Sequence, residues 1–278
     1  MEEAFFIRFH EFIFVIYLIS VLCLTLDLLQ KNSKFQNIGF YTLGFAWVLQ
    51  TISLVLYIFW MGQLPLTSII ESFYILTWLI LTITFIFSVF RISDYMIVLL
   101  NFLGFMFMAV HTFHPNQFRL DGTRLNAINE LLIFHISFAL LSYVLFAIAC
   151  VNAILYLIQF RNLKEKRFNQ DYFRIGSVAT LEKGVFYSSF VGVMLLFVSV
   201  VLGIQWGLIT LGGHIFFDLK VISSLLILAC YGVYITLRLM RKFSSLALIY
   251  ANIGLFICCM INLILVTQLS SFHQWTGV

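Results

Sequence analysis

Charge is what this 278-residue chain has least of, with only 10% of its residues being Asp, Glu, Lys or Arg. Soluble domains carry about 25%, so a water-facing surface cannot be built around a composition that is 62% apolar. A soluble enzyme, a disordered chain and a nucleic-acid-binding domain are excluded on that ground. Proline occurs only twice, at Pro65 and Pro115, so helices can run long without interruption. The five cysteines show neither CxxC nor CxxCH spacing, which argues against a disulfide framework, a zinc site and covalent haem attachment. Short alternating segments of the kind a membrane barrel needs are also missing.

Long apolar runs are what the chain does have. A helix needs about 20 apolar residues to cross the bilayer core, and eight runs qualify: roughly 11–29, 38–60, 69–90, 95–113, 130–160, 185–206, 217–238 and 244–269. They predict an all-α integral membrane protein, a single polytopic bundle of eight transmembrane helices. The first run opens on Glu2 and Glu3 and has no small-residue cleavage site, so it reads as a span and not as a removable signal peptide. Twelve of the 16 basic residues follow spans one, three, five and seven, including six in the 161–184 loop. Only Arg8, Arg119, Arg124 and Lys220 fall on the other side. The positive-inside rule therefore predicts both termini outside and the 161–184 loop in the cytoplasm.

That orientation places all six histidines on the outer side: His10, His111, His114, His135, His214 and His273. Neutral imidazole ligates haem iron, and two rings from separate helices suffice. His135 and His273 sit at comparable outer depths on spans five and eight, and His135 interrupts an apolar helix, where an ionisable group usually has a function. Local hydrogen bonding at headgroup level fits each histidine as well. Glu71 and Asp218 stand at outer helix starts, where the helix dipole favours negative charge. The stretch from Gly203 to Lys220 reads as an unusual outer connection, in which glycines and aromatics (Trp206, Phe216, Phe217) around His214 would suit a flat ligand or close packing. Asn101, Asn152, Asn252 and Asn262 would either line a solute path or bond helices together.

Three blocks carry a family resemblance. Pro65-Leu66 leads to Glu71-Ser72 and Trp78; His135 leads to Tyr143 and Ala147; and Gly203, Trp206, Gly212, Asp218, Lys220, Leu225, Tyr231, Tyr234 and Arg238 keep one continuous spacing. The chain resembles the cytochrome c assembly family of haem-handling membrane proteins, whose third block is a tryptophan-rich haem domain. Here Leu211, Ile215 and Phe217 stand at the tryptophan positions, Thr236 replaces an inner histidine, and Ser68 and Ile70 replace Asn and Tyr of the first block. Those departures favour the HemX-like branch.

The resemblance implies a non-catalytic protein of the bacterial cell membrane, associated with haem biosynthesis and controlling the abundance of glutamyl-tRNA reductase. It implies a non-covalent b-type haem whose iron is ligated by His135 together with His273, or together with His111. Glu71, Trp206, His214 and Asp218 would line the pocket. The partners would be the lipid bilayer and glutamyl-tRNA reductase, the latter through the Arg161–Lys183 loop, with lipid contact as the competing role of that loop. A component of cytochrome c maturation that exports or presents haem is the alternative.

Overall fold

The computed structural model describes residues 2–62, 64–66, 68–90, 92–114 and 130–266. Arg91, Pro115, Arg119, Arg124 and His273 lie outside the described residues. Within them the chain is helical, and eight helices are long and apolar enough to cross a membrane, as the hydropathy pattern predicts. The chain divides into two compact units, residues 1–124 and 125–278.

The first unit holds α1 (Glu2–Gln30), α2 (Ser33–Met61), α3 (Ile69–Val89) and α4 (Asp94–Phe113). The helix starts are set by side chains that satisfy orphan amides: Asn32 accepts from Lys34 N, and Ser68 from Glu71 N. Gly62, in the left-handed region at φ 66°, ends α2. α1 begins nine residues before the apolar run because an Arg8–Glu11 ion pair one turn apart supports its polar start. The unit's core is formed by Ile13, Tyr17, Leu43, Ala46, Leu81 and Met108, all fully buried.

The second unit holds α5 (Glu130–Lys164), the short α6 (Gln170–Ile175), α7 (Val178–Leu211), α8 (Leu219–Met240) and α9 (Ser245–Ile261). A 3-10 turn, Gly212–Phe217, joins α7 to α8, and a π-helical turn, Asn262–Val266, extends α9. α5 and α7 run antiparallel in close contact. Three α7 glycines face large α5 side chains: Gly184 meets Asn152, Gly192 meets Phe146 and Gly203 meets His135. All three face α5, Gly192 and Gly203 being about three whole turns apart. Small residues let membrane helices approach where no hydrophobic force draws them together.

The stretch from Gly203 is not a connection over its first half. α7 continues through Trp206 and Gly207 to Leu211, and only Gly212–Phe217 leaves the α-helix. Glycine weakens a helix by about 1 kcal/mol against alanine, too little to end one whose neighbours are apolar and packed. Gly207 instead admits Ile215, which folds back so closely that an added Cβ would stand 2.6 Å from it.

The span asparagines bond to neighbouring groups. Asn101 Oδ1 lies 3.0 Å from the Tyr17 hydroxyl and 3.2 Å from that of Thr84. Asn252 donates to Ser189 Oγ at 2.8 Å, and Asn152 donates to Ile148 O one turn back. Asn262 accepts from Ser223 Oγ at 2.8 Å, and its carbonyl receives Lys220 Nζ at 2.8 Å. At the opposite end of this unit Arg238 pairs with Glu182 and donates to Ser245 Oγ.

Candidate functional site

His135 is the best-defined candidate. It lies near the start of α5, with its ring flat against the α7 backbone at Gly203. A Cβ built on Gly203 would sit 2.6 Å from Cε1 and 2.7 Å from Nδ1 of that ring. No residue but glycine therefore leaves the imidazole where it is. Nδ1 stands 2.6 Å from the main-chain carbonyl of Ser199, four residues earlier on the same face of α7. A carbonyl only accepts, so the proton is on Nδ1 and the lone pair on Nε2. The Ser199 hydroxyl closes the arrangement by donating to His135 O at 2.8 Å. A histidine whose Nδ1–H is tied to a backbone carbonyl, with Nε2 carrying the lone pair, is the usual form of a metal-ligating imidazole.

The other candidates of this unit have defined places. Trp206, one turn beyond Gly203, is buried, whereas His214 is exposed on the 3-10 turn. Asp218 caps α8, its carboxylate accepting from Lys220 N at 2.8 Å and Val221 N at 3.4 Å. Its position at a helix start is thus used locally, in line with the dipole argument. His273 lies outside the described residues.

In the α1–α4 unit Glu71 is buried and accepts a 2.8 Å hydrogen bond from the Tyr57 hydroxyl. His111 is fully buried, with Nδ1 3.0 Å from Ile70 O. Its ring packs against those of His10 and Tyr74, at centroid distances of 5.3 and 5.0 Å. Sequence reasoning gave His10 no role beyond its side of the membrane, and overlooked Ser199. Ser199 and Gly203, four apart on an apolar helix, were the available signal for a small, polar face opposite a histidine.

Residues 66–273 match the cytochrome C assembly protein family. The chain belongs to that family. As a cytochrome c assembly protein it is 31% identical over 269 residues to Protein HemX of Bacillus subtilis (strain 168), an alignment covering 97% of this chain and 98% of that protein. It is 29% identical over 260 residues to Protein HemX of Brevibacillus brevis, covering 94% and 95%. It is a HemX-like member of the cytochrome c assembly family, as its three sequence blocks lead one to expect. Within those blocks Ser68 caps α3, Trp78 Nε1 donates to Thr51 at 3.0 Å, and Tyr143 and Ala147 are buried on α5. The first two blocks thus serve helix starts and helix packing, while His135 and Gly203 meet from the second and third.

Proposed function

We propose that this HemX-like protein binds haem non-covalently, without catalysis of its own, and limits the abundance of glutamyl-tRNA reductase in step with haem supply. The observation that carries the haem reading is the His135 arrangement: Nδ1–H held by Ser199 O, the lone pair on Nε2, and the ring seated on Gly203. These residues would hold a haem iron through His135 Nε2. Bound haem would supply an iron centre that takes up the Nε2 lone pair and makes occupancy a measure of haem. His273 is the second ligand in this reading. Trp206, His214 and Asp218 are the further candidates for contact with the macrocycle. The test is an absorbance titration of the purified protein with haem. A Soret band that forms with wild type and is lost in His135→Ala supports the reading; no uptake by wild type overturns it.

The regulatory part is supported by the likeness to the HemX proteins over nearly the whole chain. We place both termini outside the cell membrane and the 161–184 loop in the cytoplasm, on the distribution of basic residues. That loop exposes Phe168 and Phe173 among Lys164, Lys166, Arg167 and Arg174, a surface able to meet the reductase. Deleting the gene should raise reductase abundance, measured by immunoblot, and wild type but not His135→Ala should restore it. Unchanged reductase with loss of c-type cytochromes would favour the alternative, a component of cytochrome c maturation, which the family match supports.

A further inference from the structure

Lys220 has a placement that helix packing alone does not account for. It is the only Lys or Arg between Lys183 and Arg238, and it stands in the first turn of α8. A lysine near the end of a membrane helix ordinarily runs its stem outward and leaves its charge among the headgroups. This one turns inward. Its Nζ donates to the main-chain oxygen of Asn262 at 2.8 Å and lies 3.4 Å from Asn262 Oδ1, and Asn262 is only 3% exposed. Asn262 opens the π-helical turn that extends α9, a rare conformation that concentrates at functional sites. Ser223, also on α8, donates to the same Oδ1 at 2.8 Å.

The oxygens that hold the ammonium are all neutral. Among the described residues no carboxylate comes within ion-pair distance of it. Asp218 is the only Asp or Glu from residue 183 to residue 278, and its carboxylate accepts from the main-chain amides of Lys220 and Val221. An ammonium has three N–H donors, of which Asn262 engages at most two. Charges inside a membrane protein pair with one another or mark the place of a ligand, and a cation held by neutral groups alone is costly to keep there.

We infer that Lys220 binds a propionate carboxylate of haem and so sets which edge of the macrocycle turns toward α8. This rests on the haem reading and deepens it. His135 and Lys220 belong to the same unit, and the Lys220 charge reaches the His135 ring. Both side chains are half-buried, so each keeps a side open to a ligand. Haem carries an iron at its centre and two carboxylates along one edge. His135 offers a lone pair to the first, and Lys220 offers the opposite charge to the second. A lipid phosphate is the other oxyanion available near a helix start, but the inward turn toward Asn262 draws this ammonium into the bundle and away from the headgroups.

The experiment is a Soret titration of the full-length protein in detergent with haem and, separately, with haem dimethyl ester, whose propionates carry no charge. Wild type should bind haem roughly 30-fold more tightly than the ester, the scale of leaving one partner of a desolvated charge pair unmatched. Lys220→Gln, which retains a donor for the Asn262 carbonyl and loses the charge, should bind both forms with about the ester's affinity. Its Soret maximum should stay where wild type has it, because the iron ligands are untouched. Lys220→Arg should keep the preference for haem. Equal affinity of wild type for the two forms, a preference that persists in Lys220→Gln, or a displaced Soret maximum in that variant would overturn the assignment. Should Lys220→Gln fail to fold, the comparison of the two forms on wild type and Lys220→Arg decides. Uptake of both forms without preference overturns this inference and leaves the haem reading standing, whereas uptake of neither by wild type overturns both.

Discussion

At the scale of single residues, the decisive contacts are made by atoms that carry no sequence label. His135 is oriented chiefly by the carbonyl of Ser199, 2.6 Å from Nδ1, with the Ser199 hydroxyl 3.1 Å from the same atom. Ser199→Ala therefore leaves the tether of Nδ1 in place and should change haem affinity little. Gly203→Ala pushes a methyl into the ring at 2.6 Å and should weaken haem binding by roughly 10–100-fold, the usual penalty for disturbing the groups behind a metal ligand. Titration of both variants with haem, alongside a thermal melt to verify folding, checks the contrast. His135 stands out in the sequence because it is a polar residue in an apolar helix. The Ser199 carbonyl does not, since every residue has a carbonyl and only packing chooses which one is used. The same limit hid the pairing of His10 with His111, 101 positions apart in the chain.

At the scale of helices, the α5–α7 contact rests on Gly184, Gly192 and Gly203. A Cβ at Gly192 would stand 2.7 Å from the Phe146 ring, which itself stacks on Tyr231 at 4.1 Å. Gly192→Leu should prevent this unit from packing, seen as loss of the monodisperse peak in detergent chromatography. Gly254, on α9, has nothing within 4 Å of an added Cβ. Gly254→Ala should therefore be neutral, or stabilising by up to about 1 kcal/mol. Helix number and type were legible because each span is a long apolar run. Helix ends were less so, since α1, α5 and α7 continue through polar flanks that hydropathy counts as loop. The glycine face was readable in principle from its spacing, but nothing in the sequence says which helix it meets.

The turn after α5 depends on charge. Glu165 bonds Arg161 and Arg167, each at 2.8 Å. The Arg161 hydrogen bond holds the exposed Glu165 carboxyl below its ordinary range, with help from the charges of Arg161, Arg167 and Lys164. A carboxylate whose folded pKa is lowered stabilises the fold above its unfolded pKa, and that contribution is lost as the pH falls through the folded value. Acidification through the carboxylate range should loosen residues 161–167 before any span is disturbed. Hydrogen exchange of that segment measured against pH checks this, and Glu165→Gln should make it insensitive.

For the whole molecule, the division into residues 1–124 and 125–278 puts four candidate spans in each half. An even number returns each half to the side on which it began, so either can insert without reversing its topology. Two separately encoded halves, divided after Arg124, should both enter the membrane when co-expressed, as membrane fractionation of tagged halves would show. Composition alone identified a membrane protein, and the scarce charged residues carry the orientation proposed for it. The two-unit division was not visible there, because no change in composition marks residue 124. Family membership was legible through spacing that survives the loss of the tryptophans. The candidate ligands were legible only as a list of histidines, since their hydrogen-bond partners are set by packing.

Three histidines share one trait: His10, His111 and His135 each engage a main-chain oxygen through Nδ1. A peptide oxygen cannot be deleted by a codon change. A random mutagenesis screen for loss of haem binding should therefore return His135 and Gly203, and few hits at Ser199, which supplies only an oxygen. The anchoring of these rings is in that sense heritable without being encoded at any one position, and chains that have drifted to about 30% identity could keep it intact.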